Sequence, residues 1–235
     1  MLASLPDGTA CTVEKVTLSM QLLEKLNDSP YTCKVAAVLE TDPNNPQIAT
    51  KVMVVDPMGA EGVSPTLMYM DRFMEDMTRS KNQDGKQVFR AVLTALLDLR
   101  LRLPPIYNLK TSDILVDKAT FDVKIIVSDA LFSKDSNIMF LEKTDLMYKS
   151  PEELLGHGKS LTTPFWVLGC QIYEARYGIN PFDSHLKTQV SEMFIKYYPC
   201  MFPEDQEQPE EAFKDLILHL LIKDPLQRLG SDSFE

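Results

Sequence analysis

The chain has 235 residues, 44% of them hydrophobic and 25% charged, enough to bury a sizeable core as one domain or two lobes. Its formal net charge of −10 offers no basic stripe, which excludes a nucleic-acid or anionic-membrane surface. Cys11, Cys33, Cys170 and Cys200 are scattered without metal-ligand spacing and read as reduced thiols of a cytoplasmic or nuclear protein. No apolar run is long enough to span a bilayer, and Met1 to Ala10 lacks the basic start and apolar core of a signal peptide.

In chain order, Thr17 to Met70 read as short β-like runs: "TLSMQLLEKL", "CKVAAVLE" and "IATKVMVV". The turn-rich stretches "NDSP" and "DPNNPQ" separate them, which predicts a small antiparallel sheet. From about Asp84 the period becomes helical. Val88, Val92, Ala95, Leu96, Leu99 and Leu103 fall on one face, and Pro104-Pro105 stops the helix. "DILVD" and "FDVKIIV" then predict a strand pair around the turn "DKATF".

Phe165 to Tyr177 is apolar nearly all round, as expected of a buried helical post. A further amphipathic helix carries Phe213, Leu216, Ile217, Leu220 and Leu221. The acidic, Pro-containing "PEDQEQPEEA" between them reads as a solvated loop. The expected fold class is α+β: a small antiparallel β-rich lobe over residues 1–70, a larger, mainly α lobe over 71–235, and a cleft between them.

Three segments in the helical half give this frame a family. "MYKSPEELLG" resembles the Tyr-x-Ala-Pro-Glu segment of eukaryotic protein kinase domains, with Ser150-Pro151-Glu152 in the Ala-Pro-Glu place. "FWVLGCQIYEARYGINPF" resembles that family's Trp-Ser-Leu-Gly-Cys helix and the Gly-x-x-Pro-Phe turn after it. "LLIKDPLQRLG" resembles its Asp-Pro-x-x-Arg ending. The resemblance covers almost the whole chain and implies a protein-kinase-like two-lobe fold. It also implies a buried ion pair between Glu152 and Arg228, since a guanidinium fork meets a carboxylate bidentately. Trp166 and Gly169 then belong to the central helix as packing residues.

The motifs that carry chemistry in the family are altered. "IYNLKTSD" stands in place of His-Arg-Asp-Leu-Lys-x-x-Asn, which puts Asn108 at the base position, Tyr107 at the Arg and Asp113 at the metal-binding Asn. Lys110 is kept. An amide cannot accept the substrate hydroxyl's proton, and general base catalysis is worth about 10²–10⁴-fold. "LNDSPYTCKV" occupies the expected place of the glycine-rich phosphate loop, with Asn27, Ser29 and Thr32 where glycines would stand and Asp28 and Pro30 between them.

"IATKVMVV" resembles the Val-Ala-Ile-Lys strand and puts Lys51 at the ATP-facing lysine. Too few residues follow Lys51 before "TLMYMDRF" for a helix and two strands, and after Asp56 only Glu61 is left there as an acidic partner. The β lobe is therefore expected to be abbreviated. An ungapped match of "KIIVSDALF" to Asp-Phe-Gly puts Val127 at the metal ligand, whereas a two-residue slip puts Asp129 there.

These departures lead to the expectation of a degenerate kinase domain, a pseudokinase without catalytic residues. It would act as a scaffold or allosteric regulator by binding a protein partner, an active kinase being one candidate. Neither nucleic acid nor membrane is expected as a partner, and neither ATP with Mg²⁺ nor another metal as a cofactor. The rival expectation is a nucleotide-binding protein or weakly active atypical Ser/Thr kinase using Lys51, Asp113 and Asp129.

Overall fold

A computed structural model describes residues 2–4, 10–55, 67–80, 85–134, 146–183, 188–204 and 210–231. The chain forms two compact units. The first comprises Met1–Asp76, Gln83–Ile106 and Lys110–Phe132; the second comprises Met77–Asn82, Tyr107–Leu109 and Ser133–Glu235.

In the first unit, strands β1 (Leu2–Ser4), β2 (Ala10–Ser19), β3 (Val35–Asp42) and β4 (Asn45–Val55) make an antiparallel sheet in the order β1-β2-β4-β3. The β3–β4 hairpin turns at Pro43-Asn44, where the Asp42 carboxylate accepts the Asn44 N–H at 2.7 Å. Within "TLSMQLLEKL" the expected strand ends at Ser19, and Met20–Asp28 is instead a helix, α1. Ser19 is its N-cap, accepting the Leu22 N–H at 3.3 Å, and Leu23 and Leu26 bury one face at helical spacing.

A second antiparallel sheet has the order β5-β6-β7, built from Leu67–Tyr69, Ile114–Asp117 and Val123–Ile125. The β6–β7 hairpin turns through Phe121, whose φ of 62° is the left-handed region that an L side chain occupies at a cost. Helix α2 (Met70–Ser80) follows β5 directly, and α3 (Gly85–Arg102) packs on β7 through the face that buries Val88, Val92, Ala95 and Leu99. A short helix, α4 (Asp129–Phe132), closes this unit.

In the second unit, α5 (Pro151–Leu154) starts with a capping box, in which Glu153 accepts both the Ser150 N–H and the Ser150 hydroxyl at 3.0 Å. The apolar run forms α6 (Thr163–Tyr177), with Trp166, Leu168 and Cys170 fully buried. It ends at Gly178, whose φ of 74° is the left-handed cap that glycine adopts without strain. Helix α7 (Thr188–Tyr197) packs on α5, and α8 (Glu211–Leu220) packs on α6. Gly169 permits the second contact, since a Cβ there would stand 2.8 Å from Leu221 Cδ2 and 2.9 Å from Leu220 Cβ.

The class is the expected α+β, with an antiparallel-sheet lobe and a helical lobe. No helix among the described residues is long and apolar enough to cross a membrane.

Candidate active site

Asp113 lies in a single 3₁₀ turn, Thr111–Asp113, that leads straight into β6. The turn is closed by the Asp113 N–H to the Lys110 carbonyl at 3.0 Å and by the Lys110 N–H to the Asp113 carboxylate at 2.9 Å. Burial raises the Asp113 pKa above the ordinary carboxylate value, opposed by the Lys110 N–H and the Lys110 charge. The Asp113 carbonyl also accepts the Ile126 N–H at 2.8 Å, which ties this turn to the segment leaving β7.

Asp129 opens α4 on that same segment, four residues past the end of β7. In an antiparallel hairpin the start of one strand faces the end of the other, and Ile114 pairs with Ile125. Asp113 and Asp129 therefore stand at one end of the β6–β7 hairpin. Val127, the other candidate for the metal position, is buried as an apolar core residue.

Two lysines face each other across the first sheet. The sheet pairs Lys51 on β4 with Lys15 on β2, and Lys51 also pairs with Glu40 on β3. Kinase-type catalysis uses a lysine on the strand that precedes a helix bearing a glutamate. Here the helix after β2 is α1, which carries Glu24, so Lys15 lies on a strand that leads into a helix, and Lys51 lies on β4 beside it. A helix upstream of Lys51 also explains why none fitted after it. Glu61 lies outside the described residues. The local signal for the helix after β2 is the Ser19 cap, because it marks where the strand hands over.

The stretch taken for a glycine-less phosphate loop has another role. Asn27 and Asp28 end α1, and Ser29 caps it through its N–H to the Leu26 carbonyl at 3.1 Å. Ser29 and Thr32 are fully buried; Ser29 Oγ donates to Asp98 at 3.0 Å and Thr32 Oγ1 to the Leu26 carbonyl at 2.5 Å. The chain then runs along β7, with Ile125 N–H to the Tyr31 carbonyl at 2.7 Å and Cys33 N–H to the Ile125 carbonyl at 3.0 Å. This segment is a clip that fastens α1 to the second sheet. Its lack of glycine says nothing about phosphate binding.

Asn108 belongs to the second unit, where its Nδ2 donates to the Ser133 carbonyl at 3.1 Å. Lys134 Nζ lies 4.8 Å above the ring of its neighbour Tyr107, placing a cation beside the position where the family carries Arg. Glu152 and Arg228 meet in the same unit through two bonds of 2.8 Å. Trp166 stacks on Phe182 with ring centroids 5.2 Å apart.

The antiparallel-sheet unit and the helical unit have the element order of a protein-kinase-like α+β fold. The family model described as protein kinase domain matches residues 8–234, and the chain belongs to that family. It is 34% identical over 147 residues to the serine/threonine-protein kinase YPK2/YKR2 of Saccharomyces cerevisiae, a match covering 60% of this chain and 20% of that protein. It is 37% identical over 83 residues to the serine/threonine-protein kinase WAG1 of Arabidopsis thaliana, covering 35% of this chain and 17% of that protein. With the serine/threonine-protein kinase gad8 of Schizosaccharomyces pombe it shares 38% over 86 residues, 36% of this chain and 14% of that protein. The matched segments thus span about a fifth or less of the length of these relatives.

These relatives overturn the expectation of a catalytically inactive, purely protein-binding pseudokinase, because each is named a serine/threonine protein kinase. Family and relatives point to an enzyme.

Proposed function

We propose that this chain transfers the γ-phosphoryl group of ATP to serine or threonine hydroxyls of protein substrates. The reading rests on one juxtaposition. Helix α4, which begins at Asp129, packs against β2, the strand of Lys15, and Asp113 stands at the same hairpin end as Asp129.

That donor set fits magnesium. Mg²⁺ is held by about one or two carboxylates plus substrate phosphates, and among the described residues no larger cluster of metal-binding side chains exists. Asp113 and Asp129 would hold the ion, and a cation beside Asp113 would offset the burial that now disfavours its charge. The bound ion neutralises charge on the β- and γ-phosphates. Lys15 would hold the phosphates in place, with Glu24 available to orient it. Lys51 is the alternative cation one strand away.

Asn108 can orient the attacking hydroxyl but cannot take its proton. In the loose transition state of phosphoryl transfer, positioning and electrostatics supply most of the rate, so turnover would be slow rather than absent. A cytoplasmic or nuclear setting suits the chain, since Cys170 and Cys200 are buried thiols outside any disulfide.

The test is incorporation of labelled γ-phosphate into a serine/threonine peptide library. Slow incorporation that vanishes in Asp113→Ala and Asp129→Ala supports the reading. Incorporation no greater than in the double variant sinks it. Loss of ATP binding in Lys15→Met but not Lys51→Met assigns the phosphate lysine; the opposite result returns that role to Lys51.

A further inference from the structure

Lys223 follows α8 in the second unit and lays its amine on the rings beside the central helix. Its Nζ lies 4.0 Å over the Phe182 ring and 4.8 Å over Trp166, two rings that stack 5.2 Å apart. The Nζ donates to the Phe194 carbonyl at 3.3 Å, and among the described residues no carboxylate pairs with it. The charge beside it is repulsive. Arg228 Nη2 donates to the Lys223 carbonyl at 3.2 Å, and the guanidinium carbon lies 5.1 Å over Trp166. The Lys223 side chain is half-buried rather than sealed off.

These surroundings disfavour an ammonium and favour a neutral, nucleophilic amine. Burial draws the pKa down to about 8, with Cys170 and Cys200 resisting and Arg228 assisting. At pH 7 about a tenth of the amine is then unprotonated, against about 0.04% for an ordinary lysine. The Phe194 carbonyl can only accept, so it holds one N–H and leaves the lone pair of the neutral amine uncommitted. The two thiols nearby do not compete. Burial pushes the Cys200 thiol up to about 12 and that of Cys170 well above its ordinary value, which keeps both protonated.

We propose that Lys223 is an acylation site, its Nζ taking a short uncharged acyl group from an activated donor, an acyl thioester or an acyl phosphate. The lone pair attacks the acyl carbonyl carbon, a C–N bond forms and the C–S or C–O bond to the leaving group breaks. The thiolate or phosphate departs with the electron pair, and the amine releases one proton to solvent. The product suits the site, because an amide carries no charge among the rings and keeps one N–H for the Phe194 carbonyl. This site is separate from the phosphoryl-transfer reading and stands whether or not the chain turns over ATP.

The test is incubation of the whole chain with acetyl-CoA and, separately, with acetyl phosphate, acetylation being followed at each lysine by peptide mass spectrometry. At pH 7 Lys223 should acquire label at least about tenfold faster than Lys25 on α1, which serves as the control. Its rate should level off above about pH 8. Cys200→Asp places a carboxylate near the amine and should slow Lys223 labelling by about tenfold, with Lys25 unchanged. Labelling by one donor alone supports the site and assigns the source of the acyl group. Labelling of Lys223 no faster than Lys25 with either donor overturns the proposal. So does an unchanged rate in folded Cys200→Asp. Should that variant fail to fold, the pH profile of the parent decides, and a Lys223 rate still climbing through about pH 10, as an ordinary lysine's does, sinks the idea.

Discussion

Glu152 and Arg228, 76 residues apart in sequence, meet as a buried bidentate pair with both N···O distances at 2.8 Å. Arg228 is fully buried, and its remaining N–H groups reach the carbonyls of Ile222, Thr162 and Lys223 at 2.9, 3.2 and 3.2 Å. Ser160 and Thr163 complete the shell with hydroxyls on Glu152 at 2.7 and 3.1 Å. Residues from α5, the loop after it, the start of α6 and the segment after α8 converge on one guanidinium.

Arg228→Ala strands a buried carboxylate and should cost about 3–5 kcal/mol. By calorimetry this corresponds to a fall in Tm of about 6–20 °C for a chain of this size. Arg228→Lys should lose part of that, because an ammonium cannot reproduce the fork. A near-neutral Arg228→Ala would show that the pair contributes nothing to the second unit.

Acid should find the same pair. Burial pushes the Glu152 pKa up, but the Arg228 hydrogen bonds and charge together outweigh it and hold the carboxyl below its ordinary 4.5. A depressed carboxylate stabilises fully above its unfolded pKa, and that stability is lost as pH falls through the folded value. Urea midpoints should therefore drop as pH falls below about 4.5. Glu152→Gln should lack this component, and an identical acid profile in the variant would refute the assignment.

Lys223 predicts the opposite end of the pH scale. Burial draws its pKa down to about 8, with Cys170 and Cys200 resisting the shift. Between that value and 10.5 the unfolded chain binds the extra proton, so the Lys223 contribution to stability rises with pH across this window, against an opposite contribution from Cys170 and Cys200, whose thiols burial pushes up. Its Nζ also lies 4.0 Å over Phe182 and 4.8 Å over Trp166, contacts that favour the ammonium but do not overcome its desolvation. Lys223→Met should make the denaturation midpoint fall more steeply above about pH 8 than in the parent; an unchanged alkaline profile would place the titration elsewhere.

Asn108→Asp should raise turnover by about 10²–10⁴-fold, the usual worth of a general base, with ATP affinity nearly unchanged. The substitution also removes the Nδ2 donor to the Ser133 carbonyl, so a small loss of stability should accompany the gain. Phosphate-transfer kinetics with and without the substitution decide the point. No gain would mean that proton removal does not limit the rate.

Gly169→Ala should destabilise by about 1–3 kcal/mol, because the new methyl group meets Leu220 and Leu221 at 2.9 and 2.8 Å. A chemical denaturation curve with an unchanged midpoint would show that α6 and α8 can part without penalty.

The helical half was largely legible because its signals are local. Thr163–Tyr177 is apolar all round and stops at Gly178, and Gly85–Arg102 shows a single buried stripe before Pro104. The nine residues of α1 were not, since "VTLS" leads in with β-branched residues and Leu22, Leu23 and Leu26 fit either period over so short a span. That helix puts a second candidate lysine, Lys15, on β2 beside Lys51 on β4. Both strands offer a lysine among branched residues, and only sheet order separates them. The acidic candidates were legible as residue types, but their convergence depends on the pairing of Ile114 with Ile125, which no composition reveals.

The clip between α1 and β7 also sets a schedule for synthesis. Pro30 accepts from Lys124 Nζ across 94 residues of chain, and the Tyr31 and Cys33 bonds to Ile125 span a similar distance. At roughly 5–20 residues per second, a ribosome takes about 5–20 s to make the second partner after the first. During that interval the strip holding buried Ser29, Thr32 and Cys33 has no β7 to lie against, while the antiparallel sheet of β2, β3 and β4 is already made. The nascent first unit should therefore be a client for chaperones until Ile125 emerges, and its protease resistance on stalled ribosomes should appear abruptly at that length.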